Sequence, residues 1–325
     1  MTRIAVLPEL QSTNYARHAL HAEDRVWVEK NCYIDIWIEV IHAFGCDPLA
    51  VLPFVLAMDF EGDQWTFFKP PHDELRRLYG LDVQELNVWR PLVDHAVEHL
   101  GAGKLISTEA DAFWLPDTQG TDYQRQHTKT TIVMNDLDLA NHRMGYFHNA
   151  AYHTVEGVDF DRLLRIGAAP DPTFMPLFAE IIRSNDLVRR DRAALRALSR
   201  DILRTHVQRR PKNNPVVAFQ QRFERDLPWL TEQGLAFYHA WAFATVRQLG
   251  AAAELAGLYF RWIDDAALLP AAEPFEKVAN AAKTFILKAA RAVNARRALD
   301  SGALFADMIN GWQQGLDLAT RGLGL

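Results

Sequence analysis

A cysteine directly after an asparagine, at the point where an apolar helical pattern begins, is the residue of this chain best placed to act as a nucleophile. In the stretch Asn31-Cys32-Tyr33, the asparagine is a good N-cap, and Ile34, Trp37, Ile38 and Ile41 repeat at the three-and-four spacing of a buried helix face. Cys32 is therefore predicted in the first helical turn, where unpaired N–H groups and the positive end of the macrodipole favour thiolate and can hold a developing oxyanion. The competing reading is a small apolar core residue, the commoner fate of a free cysteine. Thiol chemistry further needs an imidazole to take and return the proton and a group to orient the ring. His127, just ahead of an expected strand 130–134, and Asn149, at the end of the neighbouring strand 143–147, fill those roles in chain order. Adjacent strands lie ~4.8 Å apart, so the two side chains can meet. His148 and His153 compete with His127. Asp111, Asp136 and Asp138 compete with Asn149, whose other reading is a turn residue. For the oxyanion, the Cys32 N–H stands with the side chains of Asn31 and Gln64, and Asp111 is a further substrate-side candidate.

Other chemistries find little support. His148, His153 and Glu156 match no common zinc spacing, so no metal site is expected. Neither a Gly-x-Ser-x-Gly nor a P-loop motif occurs in the chain. A net charge of −6 argues against general nucleic-acid binding. With 49% hydrophobic and 23% charged residues, the 325-residue chain has the composition of a soluble protein large enough for two domains. Two cysteines exclude a disulfide framework, and no apolar run is long enough for a signal peptide or a membrane span. A cytoplasmic location is expected.

The elements that must position these residues change character along the chain. Helices are expected at 32–44, 72–78 and 89–100, and an aromatic strand at 64–69; strands follow at 104–109, 129–135 and 143–147. This is an α+β order, with the cysteine on the leading helix and histidines among the strands. After a boundary marked by Pro170 to Pro172, amphipathic helices are expected at 189–210, 228–249, 251–264, 274–299 and 303–319. The prediction is an α+β domain over 1–165 and an all-helical domain over 166–325. The aromatic run Phe237 to Phe243 reads as core in preference to the lining of an acceptor or acyl pocket. Basic residues predominate between Arg189 and Lys212, as a solvated helix face or as a docking face for an acidic partner.

Four segments together carry a resemblance: Asn31-Cys32-Tyr33, the run Asp111 to Pro116, the run His127 to Ile132, and Tyr146 to Asn149. They resemble the papain-like acyltransferases related to butirosin biosynthesis protein H, mainly over 25–150. The chain resembles still more closely, along nearly its whole length, an uncharacterised bacterial family encoded near amino acid:carrier protein ligases. The resemblance implies a papain-like N-terminal domain and thioester chemistry. An acyl or aminoacyl group on the phosphopantetheine arm of a carrier protein passes to Cys32, with His127 as base, and then to an amine. No bound cofactor is implied, since the arm is substrate; the carrier protein and its ligase are the implied partners, with no nucleic acid or membrane. Relatives usually have aspartate as orienter where Asn149 is placed here. They also keep a glutamine shortly before the cysteine, where this chain has Arg25 to Asn31. Two alternatives stand beside transfer to an amine: a cysteine peptidase or thioesterase, and a non-catalytic partner of the ligase and carrier protein.

Overall fold

The computed structural model describes residues 3–169, 171, 173 and 177–325. The boundary marker Pro170 to Pro172 rests on two prolines outside that description. The chain forms two compact units, and both are assembled from separated segments.

The first unit comprises Met1–Ala22, Asn31–Cys46 and His72–Arg189. Its elements are β1 (Ile4–Ala5), α1 (Cys32–Ala43), α2 (His72–Tyr79), β4 (Asp82–Glu85), α3 (Leu92–Gly101), β5 (Lys104–Asp111), β6 (Lys129–Asp138), β7 (Arg143–His148), β8 (Ala151–Glu156), α4 (Gly157–Leu164) and β9 (Ala179–Arg183); β2 (Phe60–Glu61) and β3 (Gln64–Trp65) lie in the other unit. The seven strands form one sheet in the order β4-β9-β5-β6-β7-β8, with β1 on the far end of β6. All the pairings are antiparallel. One face carries the apolar side chains of Ala110, Ile132, Met134 and Tyr146 under α3 and α4. Side chains alternate across a strand, so Glu109, Asp111, Lys129 and Thr131 project from the opposite face, the side on which α1 packs. Helix α1 is sealed almost all round: Ile34, Ile36, Trp37, Ile38, Val40 and Ile41 are each at most 2% exposed. Such burial holds its first turn, and Cys32, in place. Gly145 on β7 is needed for packing, because a Cβ there would lie 2.0 Å from the Tyr152 hydroxyl.

The second unit comprises Glu23–Lys30, Asp47–Pro71 and Arg190–Leu325. It contains a 3-10 helix, Pro48–Ala57, the β2–β3 hairpin, and six helices: α5 (Arg192–Arg209), α6 (Pro215–Gln233), α7 (Leu235–Ala244), α8 (Val246–Trp262), α9 (Ala272–Ala295) and α10 (Gly302–Leu323). Helix α8 is central and packs on α9 and on the 3-10 helix.

The α+β architecture, with a sheet in the N-terminal part and helices after it, is the one read from the sequence. Its division differs from the expected cut at 165. Strand β9 lies beyond that point and pairs with both β4 and β5, so the first unit runs on to Arg189. The helix expected at 228–249 is three helices. Asn214 caps Val216 N–H at 3.0 Å with Pro215 at the first helical position, so α6 starts early and passes through Pro228. Gly234, at φ 84°, then separates α6 from α7. The aromatic strand is cut to Gln64–Trp65. In the run Phe237 to Phe243 only Tyr238 and Ala242 are buried, while Phe243 is 55% exposed.

Candidate functional site

Asn31 takes the extended backbone of a cap, and its side-chain oxygen accepts from Tyr33 N–H at 3.1 Å and Ile34 N–H at 3.0 Å. Cys32 follows as the first helical residue, half-buried. Burial pushes its thiol up from the ordinary value, and the Asp35 carboxylate one turn along adds to this. Lys129, the Thr130 hydroxyl and the Thr131 N–H act in the opposite direction without reversing it. The magnitudes agree: a helix N-terminus is worth about 0.3–1 kcal/mol to an anion, whereas burial can move a pKa by up to about 3–5 units. Cys32 therefore rests as a thiol. Thr130 and Thr131 lie on the part of β6 that precedes its pairing with β7, which begins at Val133 and Phe147, and both favour the thiolate.

Behind Thr130 stands a buried line of hydrogen bonds. The Thr130 hydroxyl lies 2.8 Å from His148 Nε2, and His148 Nδ1 lies 2.5 Å from Asp117 Oδ2. Tyr146 donates to the other Asp117 oxygen at 2.5 Å, and His153 Nε2 is 3.8 Å away. Burial works to raise the Asp117 pKa, but the His148 hydrogen bond and charge, then His153 and Tyr146, outweigh it and hold the carboxyl below its ordinary value. Asp117 is thus a carboxylate that accepts from His148 Nδ1–H, which leaves Nε2 to exchange a proton with Thr130. Burial first, then Asp117, pushes the Tyr146 hydroxyl well up, so it stays a donor.

The loop between β5 and β6 builds this geometry. Asp111 caps its first turn by accepting from Phe113 N–H at 3.1 Å, and a second turn, Pro116–Thr118, carries Asp117 back toward the sheet. Thr118 donates to the Ala112 and Leu115 carbonyls at 3.0 and 2.9 Å and closes the turn. At the foot of the loop, Ala112 N–H bonds Thr128 O at 2.9 Å, and Asp111 pairs with Lys129. That closure brings Asp111 Oδ2 to 2.6 Å from His127 Nδ1, with the imidazole stacked on Phe113 at 4.4 Å.

The expected residues are thus only partly brought together. Asn31 and Cys32 share a helix start, and His127 is paired with Asp111 rather than with Asn149. His127 is exposed, at 68% for its side chain, and among the described residues no hydrogen bond joins the Cys32 thiol to an imidazole. Asn149 sits in the two-residue turn between β7 and β8 at φ 47°, the turn role that its type also allows, and among the described residues no hydrogen bond joins its side chain to an imidazole. Gln64 is an exposed hairpin residue of the second unit. Of the three imidazoles in contention, His148 is the one whose line of contacts leads toward the sulfur. Thr130 and Asp117 were missed. A threonine at a strand start and an aspartate after Leu115-Pro116 carry no spacing signal, although the pair His148-Asn149 on a strand end had marked the imidazole.

Tyr33 extends the polar cluster, its hydroxyl 2.9 Å from His72 Nε2 and donating to Glu180 at 3.2 Å. The apolar cavity beside Trp89, Leu163 and Leu164, about 420 Å³, shares no residue with this site. Among the described residues no group of three or more His, Cys, Asp or Glu is arranged to hold a metal ion. No helix among them is long and apolar enough to cross a membrane. On α5, the arginines of the expected docking face are engaged within their own unit. Arg196 meets Asp264 at 2.7 Å, Arg200 meets Asp265 at 3.0 Å, and Arg204 caps the Leu323 carbonyl at 2.8 Å.

Fold and site define an α+β protein with a half-buried cysteine at a helix start, backed by a carboxylate, an imidazole and a hydroxyl in line. Residues 16–184 match the DUF1839 N-terminal domain and residues 192–321 the DUF1839 C-terminal domain. The chain belongs to the DUF1839 family. No curated protein matches it.

Proposed function

We propose that the protein is a cysteine acyltransferase that takes an acyl or aminoacyl group from the phosphopantetheine thioester of a carrier protein onto Cys32 and passes it to an amine. The observation that supports this most is the buried line Asp117–His148–Thr130, whose Thr130 hydroxyl favours the thiolate of the cysteine in the first turn of α1. The carrier-protein substrate and the ligase that loads it rest on the family resemblance. In the first step the proton on sulfur passes to the Thr130 oxygen while the Thr130 proton passes to His148 Nε2. The sulfur then bonds to the thioester carbon, and Asp117 stabilises the imidazolium. The Asn31 cap occupies the Tyr33 and Ile34 N–H groups, which leaves the Cys32 N–H for the oxyanion. Collapse breaks the bond to the phosphopantetheine sulfur, which takes the proton back along the same line. An amine nitrogen next attacks the Cys32 thioester and gives up one proton to the line; Cys32 leaves and is reprotonated. The products are an amide and a free carrier thiol, so no oxidant or reductant is needed.

Incubating the full chain with acyl-loaded carrier protein should add the acyl mass to the peptide containing Cys32, and amines should remove it as amide. C32A should form no adduct and release no amide. Transfer at an undiminished rate by C32A, or no adduct on the wild type with any of a panel of loaded carrier proteins, would overturn the reading. Release to water alone would make the protein a thioesterase.

A further inference from the structure

Helix α7 carries no lysine, arginine or acidic residue, yet only Tyr238 and Ala242 of its side chains are buried. Phe237 and Phe243 are 38% and 55% exposed. Trp229, near the end of α6, stands 4.8 Å from the Phe237 ring and is 45% exposed. Aromatic surface left in water beside charged residues marks an interaction site rather than a stray side chain. The Tyr238 hydroxyl donates to the Ile286 carbonyl at 2.9 Å and fixes α7 against α9, where the next residue, Leu287, is 54% exposed.

The solvent strip of α9 is basic. Lys283, Leu287 and Arg291 follow one another at four-residue spacing with Lys288 beside them, and Arg296 and Arg297 come directly after the helix. All five cations are exposed, and the chain has no acidic residue from 283 to 299. Lys283 stands 4.8 Å over the Trp27 ring, and among the described residues no carboxylate pairs with any of the five. The arginines of α5, by contrast, are engaged with Asp264, Asp265 and the Leu323 carbonyl.

We propose that α7 and the outer strip of α9 form a docking face for a protein whose contact surface is acidic around an apolar centre. The inference rests on the acyl-transfer reading, in which that partner is the carrier protein. In a chain of net charge −6, an acidic partner is repelled from the surface at large and drawn to this strip. A second copy of the chain would instead bring the basic strip against itself across a two-fold axis. A lipid surface is matched by a helix with one apolar and one strongly charged face, and α7 has no charged face.

The test measures binding of phosphopantetheinylated carrier proteins to the full chain by fluorescence anisotropy. Affinity should fall about tenfold as salt rises from about 50 to about 300 mM. K288E/R291E should weaken binding about tenfold or more at low salt, F237S/F243S by a similar factor, and R196E/R200E should leave it unchanged. The altered residues of the first two variants are exposed, so their melting temperatures should match the wild type. Wild-type affinity in both of them, or no binding of any carrier protein by the wild type, would overturn the inference. So would a failure to bind carrier protein combined with sedimentation on phosphatidylglycerol vesicles, or a dimer that these variants dissociate. The two readings fail separately. Carrier protein bound through this face without any acyl adduct on Cys32 would sink the transferase and leave the docking face, whereas adduct formation with undiminished affinity and rate in both variants would do the reverse.

Discussion

The loop between β5 and β6 delivers two carboxylate–imidazole pairs of nearly equal length in opposite surroundings. Asp117 and His148 lie 2.5 Å apart with side chains 7% and 2% exposed, while Asp111 and His127 lie 2.6 Å apart at 36% and 68%. The distance alone does not distinguish them. In water-screened surroundings such a pair is worth about 0–1 kcal/mol. In the interior each group must be fully partnered, and Asp117 is: it accepts from His148 and Tyr146 and faces His153. The comparison teaches that burial, rather than contact length, separates the two: the His148 pair is held in a fully partnered interior, and the His127 pair closes the foot of the loop at the surface.

The sharpest way to break the comparison is to remove each imidazole in turn. H148Q should slow acyl loading of Cys32 by about 10²–10⁴-fold, the usual worth of a general base, and H127Q by no more than about threefold. Because H148Q also perturbs the interior, T130V should reproduce most of the loss in a folded protein and T130S should restore it. The opposite order for the two histidine variants would return the base to His127.

A smaller effect is expected on stability. Y146F removes a donor from buried Asp117 and should cost about 1–3 kcal/mol in denaturant titrations, against about 0.5 kcal/mol or less for H127Q. The Asp117 carboxyl is held below its ordinary value of 3.8. Its contribution is therefore fully present above that value and is lost as pH falls through the lower native one. The melting temperature of D117N should accordingly fall less steeply than that of the wild type as the medium is acidified below about pH 4. Equal slopes would mean that the pair adds nothing to the folded state.

The smallest effect concerns the helical unit. R196E and R200E break the pairs with Asp264 and Asp265, which are partly exposed, and each should cost about 1 kcal/mol or less. If these variants weaken carrier-protein binding without changing stability, the docking face belongs on α5 after all.

Much of the architecture was legible because it depends on local signals. Asn31 before the Ile34, Trp37, Ile38 and Ile41 stripe marks a helix start, and α1 begins there. The Thr-Ile-Val enrichment marks β6, and the sense of the chain order, a sheet and then helices, follows from periodicity alone. Where two local signals compete, only packing chooses: the cap at Asn214-Pro215 prevailed over the proline at 228, and Gly234 supplied the break. Strand β9 was invisible, since Ala179 to Arg183 reads as a strand only when β4 and β5 present their edges to it.

The site divides in the same way. The cysteine at a helix start could be named from the sequence because N-capping involves residues adjacent in the chain. The line proposed to serve it could not, because Thr130, His148 and Asp117 are 13 to 31 positions apart and meet only after β6, β7 and the intervening loop have closed on one another. The state of the thiol likewise depends first on burial, which no local pattern of residues reveals. Local residue types determined where the sulfur is; the dielectric and the partners around it were decided by tertiary structure, since both depend on which surfaces leave water.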